Sequence, residues 1–217
     1  MRIVVLGANG GVGRRAVQAA AAAGHEVVAA ARTAPSPPGD GVSESGPQRV
    51  LPLAVDVRDA VAVRLAVEEA EAVLWCVGVT KRSGPGVGRQ GLENLVAAAR
   101  ETGLRRVVSV SGAGITLPGD VKGTGARLLS GLTQRLARDL YDDKVAEHAV
   151  LAASTLDWTE VRGPRLVDRD GTGRWRLTEV APGLVAKPVP KADVAAAMLS
   201  LAVSPDWVRR SPFLVAA

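Results

Sequence analysis

Apolar and polar positions along this chain follow two alternating periods. Arg2–Leu6 is a short β-branched run ending at a glycine, Gly10–Ala23 is a small-residue helix closed by Gly24, and His25–Ala31 is a second valine-rich run. Strand, helix and strand follow one another within about 30 residues, the span that a parallel crossover needs. The alternation continues through a strand at Val50–Val55, a helix over Val57–Glu69 and a strand at Ala72–Val77. The unbroken apolar character of that last run suits a strand covered on both faces. In the next helix Leu92, Leu95, Val96 and Ala99 fall at i, i+3, i+4 and i+7, a core-facing stripe, and Arg106–Val110 follows as a fifth strand.

Beyond the fifth strand the pattern loosens. Gly112–Gly131 is broken by glycines and proline without a clean period, so it reads as an irregular excursion above the sheet, either a mobile lid or a loop without function. A long helix is expected over about Leu132–Ala153, then a sixth strand at Asp157–Arg162. Gly163–Pro182 reads as a second excursion holding a hairpin with Gly171-Thr172-Gly173 as its turn. Val194, Ala197, Met198 and Leu201 repeat the helical stripe, and Pro212–Val215 is a candidate last strand. Regular βα alternation implies an α/β fold, a Rossmann-type doubly wound parallel sheet in one domain over residues 1–217. The proline- and glycine-rich cluster Ala34–Pro47 is expected to be a surface loop, not a domain boundary.

Composition narrows the picture by exclusion. The net charge of +5 comes from arginines scattered among acidic residues, without the one-faced run of a nucleic-acid or membrane surface, and no apolar stretch reaches a membrane span. The single cysteine, Cys76, lies in a hydrophobic run; it permits no intrachain disulfide or thiolate zinc cluster and reads as a buried structural thiol. The apolar run after Met1 is too short for a secretory core, so a cytoplasmic protein is expected, monomeric or homodimeric, with a small molecule as partner and no metal.

The chemistry begins at Gly7-Ala8-Asn9-Gly10-Gly11-Val12-Gly13, which follows the first strand and opens the first helix. In that context the first glycine permits the tight turn, and the second lets backbone N–H groups approach a dinucleotide pyrophosphate. The third lets the helix pack close to the sheet, and the helix N-terminus offers unpaired donors to the phosphates. At the end of the second strand, where a carboxylate would chelate the adenosine ribose, the sequence reads Ala29-Ala30-Ala31-Arg32-Thr33. A carboxylate would repel a 2′-phosphate, whereas a guanidinium pairs with it, so NADP(H) is favoured; the alternative is that Arg32 caps a solvated strand end.

The glycine spacing is G-x-x-G-x-x-G, and with Asp56-Val57 after the third strand and Gly78 after the fourth it resembles the short-chain dehydrogenase/reductase superfamily. It is most similar to the atypical, NmrA-like branch that includes biliverdin reductase B/flavin reductase proteins. The segments Leu156–Leu166 and Val189–Val194 extend the likeness over nearly the whole chain. The resemblance implies cofactor contacts from Gly7, Asn9, Gly10, Gly11 and Val12, and from Arg32 and Thr33. It places the Asp56 carboxylate at the adenine amino group with Val57 against the ring, although Asp56 could also cap the following helix. Val77, Gly78 and Val79 should run beside the adenosine ribose and pyrophosphate, with Ser111, Gly163 and Pro164 completing the cofactor site.

Much of the superfamily uses a serine after the fifth strand and a Tyr-x-x-x-Lys helix, and this sequence departs from that twice. Ser111 ends the strand but Gly112 stands where the serine is expected, and Tyr141-Asp142-Asp143-Lys144 is one residue short. Ser111, Tyr141 and Lys144 are the catalytic candidates. Tyr141, Lys144 and His148 share one helical stripe, facing either the nicotinamide or solvent, where Lys144 would pair with Glu147 or His148 would pack its ring. Hydride transfer to an electron-poor conjugated ring needs little acid catalysis from the protein, so the expected function is NADPH-dependent reduction of a flat acceptor such as a flavin, a quinone or a natural-product-like ring. Alternatives are a non-catalytic NADP(H) sensor and a cofactor-retaining isomerase or epimerase. The acceptor should lie among Thr80–Gly88, Gly112–Gly131 and Gly163–Leu177, with Arg165 and Trp175 holding it.

Overall fold

A computed structural model describes residues 1–36, 49–80, 83–183 and 186–217, without the Leu129 side chain. Most of the expected 34–47 loop therefore lies outside the described residues. In chain order the first half comprises β1 (Arg2–Leu6), α1 (Gly11–Ala22), β2 (Glu26–Ala31), β3 (Val50–Ala54), α2 (Ala60–Ala66), β4 (Ala72–Trp75) and α3 (Val87–Thr102). The second half comprises β5 (Arg106–Gly112), α4 (Thr124–Leu136), α5 (Arg138–Ala153), β6 (Asp157–Gly163), β7 (Leu166–Val167), β8 (Trp175–Thr178), β9 (Val189–Pro190), α6 (Lys191–Ala202) and β10 (Phe213–Ala216).

Eight strands form one sheet in the order β3-β2-β1-β4-β5-β6-β10-β8, parallel except for the antiparallel edge pair β10–β8. The order reverses at β1, which sits between β2 and β4, so the crevice at the carboxyl end of β1 is the place where such a sheet binds ligands. Alternate residues of β1 explain why the run is apolar throughout. Ile3 and Val5 face a core shared with α1 and α6, while Val4 and Leu6 face one shared with α2, α3 and α5. The predicted stripes are buried except at one edge: Leu92, Leu95 and Ala99 on α3 and Val194, Ala197, Met198 and Leu201 on α6 are buried, while Val96 is half-buried at the margin of its stripe.

Three expectations are corrected. The helix after β3 begins at Ala60, not Val57, because the Asp59 carboxylate accepts from the N–H groups of Val61 and Ala62. The excursion over 112–131 already contains the start of α4, and the long helix is two helices broken at Ala137 (φ −134°, ψ 48°). The buried Lys122 ammonium holds this excursion down, donating to the carbonyls of Ala113 and Ile115 and to the hydroxyl oxygens of Thr116 and Ser130. Finally, Gly171-Thr172-Gly173 closes no hairpin. β7 pairs in parallel with β9, β8 joins the main sheet beside β10, and the Thr172 and Gly173 N–H groups donate to the buried Asp193 carboxylate. No helix among the described residues is long and apolar enough to cross a membrane.

Candidate functional site

Above the carboxyl ends of β1, β4 and β5 lie two clefts that meet at Cys76, Val77 and Gly78. The first, about 540 Å³, is lined by the β1–α1 turn (Gly7, Asn9, Gly10), the end of β2 (Arg32, Thr33), Val57, and Thr80, Ser83 and Val87. The second, about 890 Å³, lies over β5 and β6.

The turn is built for close approach. Gly7 adopts φ +88°, and a Cβ there would stand 2.6 Å from the Cys76 carbonyl oxygen. A Cβ on Gly13 would meet the Gly7 oxygen at 2.2 Å, so only glycine lets α1 start this close to β1. Gly10 caps α1 with no side-chain hydrogen bond, so among the described residues the first-turn N–H groups of α1 receive no capping side chain. Asn9 ties this turn to β2 by donating from Nδ2 to the Thr33 carbonyl at 2.8 Å. A helix N-terminus without a capping side chain, beside a glycine surface and facing the sheet crevice, fits the diphosphate of a dinucleotide.

Of the expected cofactor residues, Gly7, Asn9, Gly10, Arg32, Thr33, Val57, Val77 and Gly78 line the first cleft. Gly11, Val12, Ser111, Gly163 and Pro164 line the second, together with Val77 and Gly78. Val79 lines neither and packs against the α2–α3 side of the core. Asp56 is exposed outside the first cleft's lining, and its carboxylate accepts from the Arg58 N–H at 3.0 Å; the helix cap is Asp59 instead. Cys76 borders both clefts, and burial pushes its thiol up to about 12, which keeps it neutral.

The catalytic candidates separate. Lys144 lies in the second cleft, its Nζ donating to the Val77 carbonyl (2.9 Å) and to Glu147 Oε2 (2.8 Å). Tyr141 points elsewhere: its ring packs on Ile115 and Leu117, and its hydroxyl accepts from the Thr116 N–H at 3.4 Å. His148 pairs through Nδ1 with the buried Glu160 at 2.8 Å and stacks edge-on against Trp158. The presumed stripe therefore neither faces the cleft as a unit nor lies on a solvated face. Ser111 does line the second cleft, and its Oγ is buried with no hydrogen-bond partner among the described residues. Arg165 stands at the same cleft, whereas Trp175 does not, because β8 pairs with β10 and seats the indole against the core. Thr80, Ser83 and Val87 belong to the first cleft, not the acceptor side; residues 81–82 lie outside the described residues.

Several contributors escape the sequence reading, and Glu147 enters it only as a surface partner of Lys144. Glu147 holds both Lys144 and the Trp75 indole N–H, and burial raises its carboxyl to about 7 against the pull of Lys144. Its position three residues after Lys144 was the available signal, but it reads as a solvated pair until α5 is packed on α3. Thr133 and Leu140, with Pro182, Gly183, Ala186 and Pro188, complete the wall of the second cleft. Lys191 crosses Gly11 from 180 residues away, which no local pattern reveals.

The NAD(P)H-binding family model matches residues 7–205. An anaerobilin reductase from Escherichia coli O157:H7 has a similar structure, with TM-score 0.75 and 24% identity, covering 100% of this chain and 97% of that one. A short-chain dehydrogenase/reductase from Veillonella parvula in complex with NADP gives TM-score 0.78 at 18% identity, covering 99% and 94%. At these identities the likeness is one of fold. Over 111 residues the chain is 37% identical to uncharacterised proteins of Mycobacterium tuberculosis and Mycobacterium bovis, a stretch that is 51% of this chain and 12% of those proteins. The matched family, the doubly wound sheet and the glycine turn at its switch point agree, and the chain belongs to the NAD(P)H-binding family.

Proposed function

We propose that this protein is an NADP(H)-dependent oxidoreductase that reduces a flat, conjugated small molecule held in the second cleft. The observation that carries the reading is the cleft itself. It is continuous with the dinucleotide turn at Cys76–Gly78, has a largely apolar wall, and has no tyrosine among its lining residues to serve as a proton donor. The bound nicotinamide would supply the hydride. Gly7, Gly10 and the open N-terminus of α1 would receive the diphosphate, with Arg32 near the adenosine ribose favouring a 2′-phosphate.

The remaining residues position and exclude. Val12, Val110 and Leu166 offer apolar surface to a ring, and Arg165 offers a guanidinium to an anionic substituent on it. Lys144 fixes the Val77 carbonyl at the junction of the clefts and is itself fixed by Glu147. A proton needed after hydride transfer would come from solvent through the open cleft, which suits acceptors whose reduced form is a stabilised anion. Steady-state NADPH oxidation against a panel of flavins and quinones tests this. Turnover of at least one planar acceptor is expected, whereas tight NADPH and NADP⁺ binding without turnover on any of them would make the protein a sensor.

A further inference from the structure

Lys191 opens α6, on the far side of the sequence from the glycine turn, yet its side chain lies across Gly11. A Cβ on Gly11 would stand 2.8 Å from Lys191 Nζ and 2.9 Å from its Cδ, so the missing side chain is the space the lysine stem occupies. Its ammonium is held there by Asp168 Oδ2 at 3.3 Å. The same carboxylate pairs through Oδ1 with Arg15 on α1, and Arg15 in turn donates to the Gly11 carbonyl at 3.0 Å. An exposed carboxylate thus sits between two cations at the opening turn of α1, beside the helix N-terminus that fits the diphosphate.

We propose that Lys191 is a diphosphate ligand and that Asp168 is its placeholder, occupying the ammonium until a dinucleotide takes it over. The inference rests on the dinucleotide reading of the β1–α1 turn and adds to it a residue that lines the second cleft beside Gly11. An ammonium on a four-carbon stem can swing while its stem stays packed on Gly11, and it exchanges one oxyanion for another of higher charge. Arg15 remains with Asp168 after the exchange, so the released carboxylate keeps a partner. The diphosphate is common to both nicotinamide dinucleotides. Lys191 therefore contributes equally to NADP(H) and NAD(H), unlike Arg32, whose contribution depends on the 2′-phosphate.

Calorimetric titration of the full chain with NADPH, NADH and ADP-ribose tests the proposal. Lys191→Met keeps the stem over Gly11 and is expected to weaken all three by about tenfold, the lower range for a charged hydrogen bond, while Lys191→Arg restores most of the loss. Asp168→Asn removes the competitor and is expected to tighten all three severalfold. Unchanged affinity in Lys191→Met, or weaker binding in Asp168→Asn, would overturn the proposal while leaving the cofactor reading intact. Absence of binding of any of these nucleotides to the unmodified protein would instead overturn the cofactor reading itself.

Discussion

Replacing Glu147 by glutamine should change how stability depends on pH. The carboxylate sits between α5 and α3, so close that a Cβ on Gly88 would meet Oε1 at 1.9 Å, and Oε1 has no hydrogen-bond partner among the described residues although Oε2 serves Lys144 and Trp75. Burial raises its pKa from 4.5 to about 7, so between those values the folded protein binds a proton that the unfolded chain releases. Stability from this group is complete below about pH 4.5 and is lost as pH rises through about 7. The gap corresponds to at most about 3 kcal/mol. In Glu147→Gln the dependence disappears, while the carboxylates that lose stability on acidification, such as Asp168 beside Lys191, act alike in both proteins and cancel in the difference. Urea unfolding of both proteins from pH 4.5 to 8 should show the variant gaining on the parent by up to about 3 kcal/mol as pH rises. Parallel curves would refute the reasoning and mean that Glu147 stays ionised throughout.

Gly13→Ala should abolish measurable dinucleotide binding and lower the unfolding midpoint, because the Gly7 carbonyl 2.2 Å from the added Cβ is backbone and cannot step aside. Tyr141→Phe should leave kcat on a planar acceptor within about threefold of the parent, since its hydroxyl makes one long contact outside the second cleft; a loss of about 10³-fold in kcat with intact cofactor affinity would identify it as the proton donor. Asp193→Ala should cost about 2–4 kcal/mol in denaturant unfolding by leaving the Thr172 and Gly173 N–H groups without their buried acceptor.

The repeating βα half of the chain was legible because β1, β2 and β4 are covered on both faces and α1 and α3 each show one buried stripe, so these elements carry their periods openly, while the edge strand β3 is only partly covered. The glycine turn was legible for the same reason that it works: close approach requires missing side chains at fixed offsets. The region between β5 and β6 was not. Leu128, Leu132 and Leu136 on α4 point outward, so their spacing signals no core, and the break at Ala137 has neither glycine nor proline to mark it. The Gly171–Gly173 segment resembles a hairpin turn locally, yet its N–H groups are satisfied by Asp193, 20 residues further along. Tyr141 and Lys144 lie on one helix three residues apart, but only packing decides that the lysine enters the cleft while the tyrosine goes under the Ile115–Leu117 segment.

Nucleotide preference tests the central claim most directly. Isothermal titration of the parent protein and of Arg32→Ala with NADP(H) and NAD(H) compares the two nucleotides on the cleft that Arg32 and Thr33 border. The account predicts tighter NADP(H) in the parent, and in the variant a selective weakening of NADP(H) by about 1.5–3 kcal/mol with NAD(H) nearly unchanged. Tighter NAD(H) than NADP(H) in the parent would contradict it.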